Sequence, residues 1–546
     1  MPLILWVPKA PFRLFHLSEG ARSEAGKTVD WPMTQAQDRQ DTSYLWVVFA
    51  ACAGVFAVAY NTTAVMTTLP AMKSGLDLSV NTMQWVVVIY MLATATSLTA
   101  LGHFADMFGL VRIFFVGLAA FAIGGLANAV ANDAAVVLVG RVFQGIGAAG
   151  LLATAVAMIS VASPEDKRAR GLGMVAASLA YGFALGPLIG GALTGVFGWR
   201  SIFVFDLANI FIASVVCFTV ARRHLVPQAL EVGSRIDYAG IALLCVALGA
   251  FLYGLTSGQL SGWTFAQTLM LFVVSVIAAI AFAARERRTQ DPLINFHFFR
   301  YADYVASTGG MFALGFAQIG VLLFTNLFMQ APDGFGFSAS TAGLALLPFT
   351  LAMLVASLTA PRVLDESALR IPITVGLLMV ALGLWLARDT GTYGDLWWKL
   401  IVLGAGAGMG RSLLLRVGLR ALPDTSAGQG AGVLNTCYFS GLATGAAVGG
   451  AVTAHVQRGV IDPAVEHLLP HSPDLGKLQV TLVHGSETQV MRALAQFSPG
   501  DADKLQNLMR SVFDSAFAFV MDTMSLVALA GAILCAVLIR NRTLER

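Results

Sequence analysis

Fourteen stretches of this chain are each about 20 residues or longer and almost free of charge, the length at which an α-helix crosses the hydrocarbon of a bilayer. They fall at approximately 45–68, 82–101, 111–130, 134–160, 171–195, 200–221, 237–256, 264–284, 304–329, 340–360, 371–388, 397–418, 428–454 and 515–539. A bilayer offers backbone groups no partners, so runs of this kind are expected to be helices packed on one another. Composition agrees: 57% of residues are hydrophobic and 12% charged, against about 25% charged in a soluble domain. The expected class is an all-α polytopic membrane protein with its surroundings, the lipid bilayer, as its first partner. A net charge of +3 with no dense basic run gives no reason to expect a nucleic-acid partner. The five cysteines all lie in apolar segments, where they read as small packing residues.

Basic residues set the expected orientation, because short cytoplasmic loops are enriched in lysine and arginine. With a cytoplasmic N-terminus, that side receives Arg112, Lys167, Arg168, Arg170, Arg222, Arg223, Arg235, Arg285, Arg287, Arg288, Arg300, Arg362, Arg370, Arg420 and the tail arginines, while the opposite short loops hold Lys73, Arg200, Arg388 and Lys399. Both termini are then cytoplasmic in a plasma (inner) membrane. Residues 1–44 are polar beyond a short apolar start and are expected to be a disordered cytoplasmic segment, with Met33 an alternative start. A long connection at about 455–514 is expected on the outer face, with a helical piece near 501–511. Its histidines, His455, His467, His471 and His484, are irregularly spaced and do not read as a metal site.

Within the fifth stretch, Gly182, Gly186 and Gly190 recur every four residues and form one bare stripe on a helix, against which another backbone packs closely. Gly191 adjoins it, and Pro187 removes a backbone donor and is expected to bend the helix. A shift of 259 residues carries Gly171, Gly173, Gly182, Gly186, Gly190 and Gly191 onto Gly430, Gly432, Gly441, Gly445, Gly449 and Gly450, while Pro187 falls on Ala446. Two related halves with matching glycine helices are a common plan among secondary transporters, with substrate at the interface between halves.

Two further stretches carry chemistry. Gly102-His-Phe-Ala-Asp106-Met-Phe-Gly109-Leu-Val-Arg112 joins the second and third spans. Arg141-Val-Phe-Gln144-Gly145-Ile-Gly147 lies inside the fourth, and a charge at that depth normally faces a cavity or a partner. With the glycine helix, these residues resemble the major facilitator superfamily, and most closely its fourteen-span drug:proton antiporter family, over about residues 45–540. Gly102 to Arg112 is similar to the G-x-L-a-D-r-x-G-r-k loop, Arg141 to Gly147 to the R-x-x-q-G-x-g pattern, and Gly182 to Gly191 to the g-x-x-x-G-P-x-x-G-G signature linked there to antiport. The resemblance implies a six-helix bundle at about 45–222, two extra helices and linkers at 223–300, and a second bundle at 301–546, rocking about a central cavity. It also marks departures. Asn61 stands where the first helix usually offers an aspartate, Phe104 replaces a leucine, and Met107, Leu110 and Val111 replace basic residues.

With that acid missing, proton exchange falls to the acids on the spans, Asp206 in the sixth and Asp522 in the fourteenth. Asp206, opposed by Arg141, is the first choice. Asn61, Gln144 and Arg411 are expected to line the substrate cavity, although Arg411 and Arg416 also fit a position near the cytoplasmic interface. The expected function is proton-coupled export of hydrophobic or amphipathic small molecules by alternating access, of the multidrug-efflux type, with protons and the substrate as partners and no cofactor. The alternatives are an exporter of a specific anionic or lipid-like metabolite, or a non-transporting membrane sensor or assembly subunit. A periplasmic adaptor protein is a further possible partner at the outer connection. No nucleophile–base pair or metal-ligand cluster points to an enzyme.

Overall fold

The computed structural model describes the chain from residue 33 to 540, apart from 164, 225–236, 262–264, 290–291, 332–333, 365–367, 424–426, 469–474 and 485–486. Among the described residues every regular element is helical. The compact body starts at Ser43.

Six long helices come first: α1 (Met33–Leu76), α2 (Val80–Phe108), α3 (Leu110–Ala129), α4 (Ala134–Ala162), α5 (Glu165–Phe197) and α6 (Ser201–His224). The first of them extends into the segment expected to be disordered. Their connections are short and capped: Ser79 caps α2 through Thr82 N, and Asp133 caps α4 through Val136 N. Gly109 ends α2 and opens α3 with φ of 97°, a left-handed value that explains a glycine at that turn. α5 runs unbroken through Pro187.

The pair α7 (Tyr238–Ser261) and α8 (Ala266–Glu286) pack on each other, and α7 lies against α2. A second set follows. α9 (Ala302–Ile319) passes through a π-helical turn, Gly320–Thr325, into α10 (Asn326–Gln330). Then come α11 (Ala339–Ala345), α12 (Leu347–Val363), α13 (Arg370–Ala387), α14 (Tyr393–Arg420) and α15 (Ala427–Leu468). The short α16 (Leu475–His484) and α17 (Glu487–Leu494) lead to α18 (Pro499–Leu538).

Thirteen helices among the described residues are long and apolar enough to cross a membrane. α15 is not among them, although it occupies the thirteenth of the fourteen expected places, packed against α2, α9 and α18. Its glycines and threonines dilute its apolar character, and it keeps its position by burying that surface against protein. This is a multi-pass membrane protein. The connection at 455–514 is mostly helical: α15 carries on through Pro463, and α18 begins as far back as Pro499. Ile461, Val465, Leu478, Leu482, Leu494, Phe497 and Leu505 give it a small core of its own.

The two glycine stripes do the same work in the two halves. A Cβ on Gly182 would meet Ala59 Cβ at 2.6 Å and Phe56 O at 2.7 Å, and one on Gly190 would lie 2.8 Å from Ala64 Cα, so the first stripe seats α5 against α1. In the second copy Gly441 and Gly445 face the Phe312 and Phe316 backbone of α9. Gly191 and Gly450 each face across the molecule, Gly191 to Ala339 and Gly343 and Gly450 to Gln84. Gln84 and Gly343 are themselves 259 residues apart, so these two contacts are copies of one another. Asn326 Nδ2 donates to Thr67 Oγ1 at 2.9 Å across the same separation of 259. A bond between a residue and its own repeat counterpart lies on the pseudo-twofold axis.

Candidate functional site

The first half holds a sealed polar network, drawn from α1, α2, α3, α4 and α6. Asp206, 0% exposed on α6, accepts a hydrogen bond at Oδ2 from Asn61 Nδ2. Asn61 Oδ1 accepts from Arg141 Nη1. Arg141, 1% exposed, also donates from Nη1 to Gln144 Oε1 at 3.0 Å and from Nε to Val86 O at 3.0 Å. Its guanidinium carbon lies 3.9 Å from the centre of the Tyr90 ring. Asn128 Nδ2 donates to the same Gln144 oxygen at 2.9 Å.

Glycines let the helices come close enough for this. A Cβ on Gly124 would strike Gln144, and one on Gly140 would strike Asn128. The charges are therefore not in direct contact: Asn61 stands between the Asp206 carboxyl and the Arg141 guanidinium, its amide oriented to satisfy both. Among the described residues, Asp206 Oδ1, Gln144 Nε2, Asn128 Oδ1 and the Tyr60 hydroxyl are buried without a hydrogen-bond partner.

The network changes the expected place of two residues. Asn61 and Gln144, at 1% and 0% exposure, do not line an open cavity but are sealed inside the half, because Arg141 draws both side chains inward. Arg141 does not reach for the interface. Asn128 and Tyr90 were not anticipated, although a lone polar or phenolic side chain within an apolar span is the signal that marks them.

Arg411, on α14 of the second half, lies where the halves meet. Its guanidinium carbon is 4.1 Å from the Tyr438 ring centre on α15 and 4.8 Å from that of Phe183, which sits between Gly182 and Gly186 on α5. The Tyr438 hydroxyl donates to Gln318 Oε1 at 2.9 Å. Arg416, one and a half turns on, donates to Pro361 O at 2.7 Å and belongs to the end of the bundle.

The remaining site residues are dispersed. A Cβ on Gly102 would meet Ala153 Cβ at an ordinary 3.9 Å, Arg112 is exposed, and the side chain of Asp106 lies outside the described set. Asp522 pairs with Arg388 at 3.2 Å, and both are partly exposed. Near that pair, an open cleft of about 460 Å³ is lined by Phe328, Phe335, Phe517, Arg388, Asp389 and Asp514. Asp237, before α7, is gripped by Arg285 Nε at 2.6 Å and by the Gly240 amide at 2.8 Å. Burial alone would raise its carboxyl, but these donors outweigh it and hold the group below the usual carboxylate range. It fastens the α7–α8 pair and takes no part in the central network.

Comparison with known proteins covers most of the chain. The sequence profile described as Major Facilitator Superfamily matches residues 51–446. The chain is 30% identical over 440 residues to the multidrug resistance protein Stp of Mycobacterium tuberculosis, covering 78% of this chain and 80% of that one. It is 31% identical over 459 residues to the cephamycin export protein CmcT of Amycolatopsis lactamdurans, covering 82% and 93%. It is also 31% identical over 365 residues to the tetracenomycin C resistance and export protein of Streptomyces glaucescens, covering 65% and 66%. The duplicated glycine helices, the two related halves and these matches agree: the chain belongs to the Major Facilitator Superfamily and is a transporter of that family.

Proposed function

We propose that this protein exports hydrophobic or amphipathic small molecules across a plasma membrane in exchange for protons, by alternating access. The observation that carries this reading is the Asp206–Asn61–Arg141 bridge. Asp206 is a wholly buried acid inside a span, bonded to the neutral amide of Asn61 rather than paired directly with a cation, as suits a group that binds and releases a proton. Protonation removes the negative charge that Asn61 donates to, weakens that bond and frees Asn61 and Arg141 to shift together. Asn61 is then a coupler, while Asp206 carries the proton that the first-helix acid carries in similar proteins. Export is supported by the names of the relatives, among them a multidrug resistance protein and a cephamycin export protein.

Two observations bear on the orientation. Ser340 Oγ donates to Gly191 O at 3.0 Å, and Asn326 and Gln330 both bond Thr67, so the halves are tied together at the end that carries Arg200. The scarcity of basic residues at that end supports placing it outside with both termini in the cytoplasm, while Thr99 and Thr436 join the halves nearer the other end.

Proteoliposomes with an internal pH dye test the coupling. An outward-directed ethidium or rhodamine 6G load should move protons in the parent, and Asp206→Asn should abolish proton movement while keeping dye binding. Undiminished proton movement in that variant would remove Asp206 from the mechanism.

A further inference from the structure

We infer that Arg411 is a recognition point for an anionic group, a carboxylate first of all, on the substrate. The inference deepens the exporter reading and rests on it for the word substrate.

A guanidinium carries five donors in a fixed fork that matches the two oxygens of a carboxylate. Arg141 and Arg420 satisfy such donors within the protein, on Asn61, Gln144, Val86 and Asp303. Arg411 is different. Among the described residues it has ring contacts only, to Phe183 and Tyr438, and no carboxylate, carbonyl or hydroxyl accepts from it. Nor are its nitrogens among the sealed orphan atoms, and the side chain is partly exposed, so its donors open onto accessible space.

The surroundings point the same way. Phe183 is 1% and Tyr438 0% exposed, so both rings are held in place. Tyr438 is further held by its bond to Gln318, itself 2% exposed. Contact with aromatic rings removes water from a cation without supplying a counter-charge, which strengthens its attraction for an incoming anion. Charge-assisted, two-pronged bonds of this type are about twice as strong as neutral ones. The rings come from opposite halves, Phe183 from the first and Tyr438 from the second, so an anion seated on Arg411 sits at the seam that must open and close.

Fluorescein and rhodamine 6G share a three-ring scaffold but carry opposite charge, and serve as the probes. Their dissociation constants are measured by fluorescence anisotropy on purified full-length protein in detergent, where transport is not required. Arg411→Gln should weaken fluorescein binding tenfold or more and leave rhodamine 6G within twofold of the parent, or tighter. Arg411→Lys, which keeps the charge and loses the fork, should fall between and serves if the glutamine variant does not fold. Equal weakening of both dyes would mean that Arg411 only holds the cavity together and would overturn the inference, as would unchanged fluorescein binding in both variants. Fluorescein binding that depends on Arg411 in a protein that moves neither dye would keep the site and remove the exporter reading instead.

Discussion

Adding one methyl group at Gly190 tests whether the glycine stripe seats α5 on α1, and a second glycine of the same helix supplies the control. A Cβ at Gly190 would lie 2.8 Å from both Ala64 Cα and Ala64 Cβ and 3.1 Å from Ala64 O. Carbon atoms rest at about 3.5–4.0 Å, so α1 and α5 would have to part by about 1 Å. These are backbone and Cβ atoms with no rotamer to turn away, and overpacking of this kind costs about 1–3 kcal/mol. Alanine also favours the helix over glycine by about 1 kcal/mol. Gly173, on the exposed side of α5, has nothing within 4 Å of an added Cβ. The helix term is common to the two substitutions and cancels. Gly190→Ala should therefore be less stable than Gly173→Ala by about 1–3 kcal/mol, the overpacking cost alone. Equilibrium unfolding by SDS titration in mixed micelles reads the difference. The same ranking should recur in the second copy, with Gly441→Ala below Gly432→Ala, since Gly441 faces Phe312 and Phe316 backbone and Gly432 faces nothing. Equal stability within each pair would refute the close-packing role of the stripe.

The Thr67–Asn326 bond closes one end of the molecule, and a hydrogen bond contributes about 1 kcal/mol net. Thr67→Val should raise the population open at that end about fivefold, read as a longer spin-label distance between the exposed positions Val196 and Leu344; an unchanged distance distribution would show that the bond does not hold the end shut. Asp522 is partly exposed and paired with Arg388, so Asp522→Asn should keep proton-coupled dye efflux within twofold of the parent. A loss comparable to that of Asp206→Asn would move the proton site to α18.

The fold was legible from hydropathy, because each span must satisfy its backbone internally and reads as an apolar run. The repeat was legible from glycine, because only glycine meets the steric demand at Gly182, Gly190 and Gly441, and that demand exists in both halves. α15 was read at 428–454 despite its diluted hydropathy, and the outer connection was harder. Helix α15 lies between protein surfaces rather than against lipid, so it does not need an unbroken apolar run, and the connection forms helices around a core too small to show in periodicity. The site was legible in its charges and not in its wiring. Asp206 and Arg141 stand out as ionisable groups in apolar spans, but Asn61 read as a missing acid and a cavity-lining residue. That its amide lies between them depends on the approach of α1, α4 and α6, which no local pattern encodes. The axial pair was within reach in principle: the same offset that matches the glycines carries Thr67, polar in an apolar helix, onto Asn326.

The repeat duplicates the scaffold but not the chemistry. By the offset of 259, Asn61 corresponds to Gly320, within the π-helical turn, and Arg411 corresponds to Leu152. The acid network therefore belongs to one half and the solitary guanidinium faces the seam from the other. What joins them is α1. Asn61 reaches Asp206 on one side of that helix, and two residues on, the Thr63 hydroxyl donates to Phe183 O at 3.4 Å. The Phe183 ring in turn lies against Arg411. The Tyr60 and Thr63 region is also where Gly182 and Gly186 press α5 onto α1, so a shift of α1 carries Phe183 with it rather than being absorbed by loose packing. Under the proposed mechanism, protonation at Asp206 acts on Asn61, hence on α1, hence on the aromatic wall of the Arg411 site. Linkage requires the reverse as well: an anion held at Arg411 must change the proton affinity of Asp206 by the same factor by which the proton changes anion binding. A symmetric transporter with an acid in each half would have no such one-way division between the half that holds the proton and the half that holds the cargo.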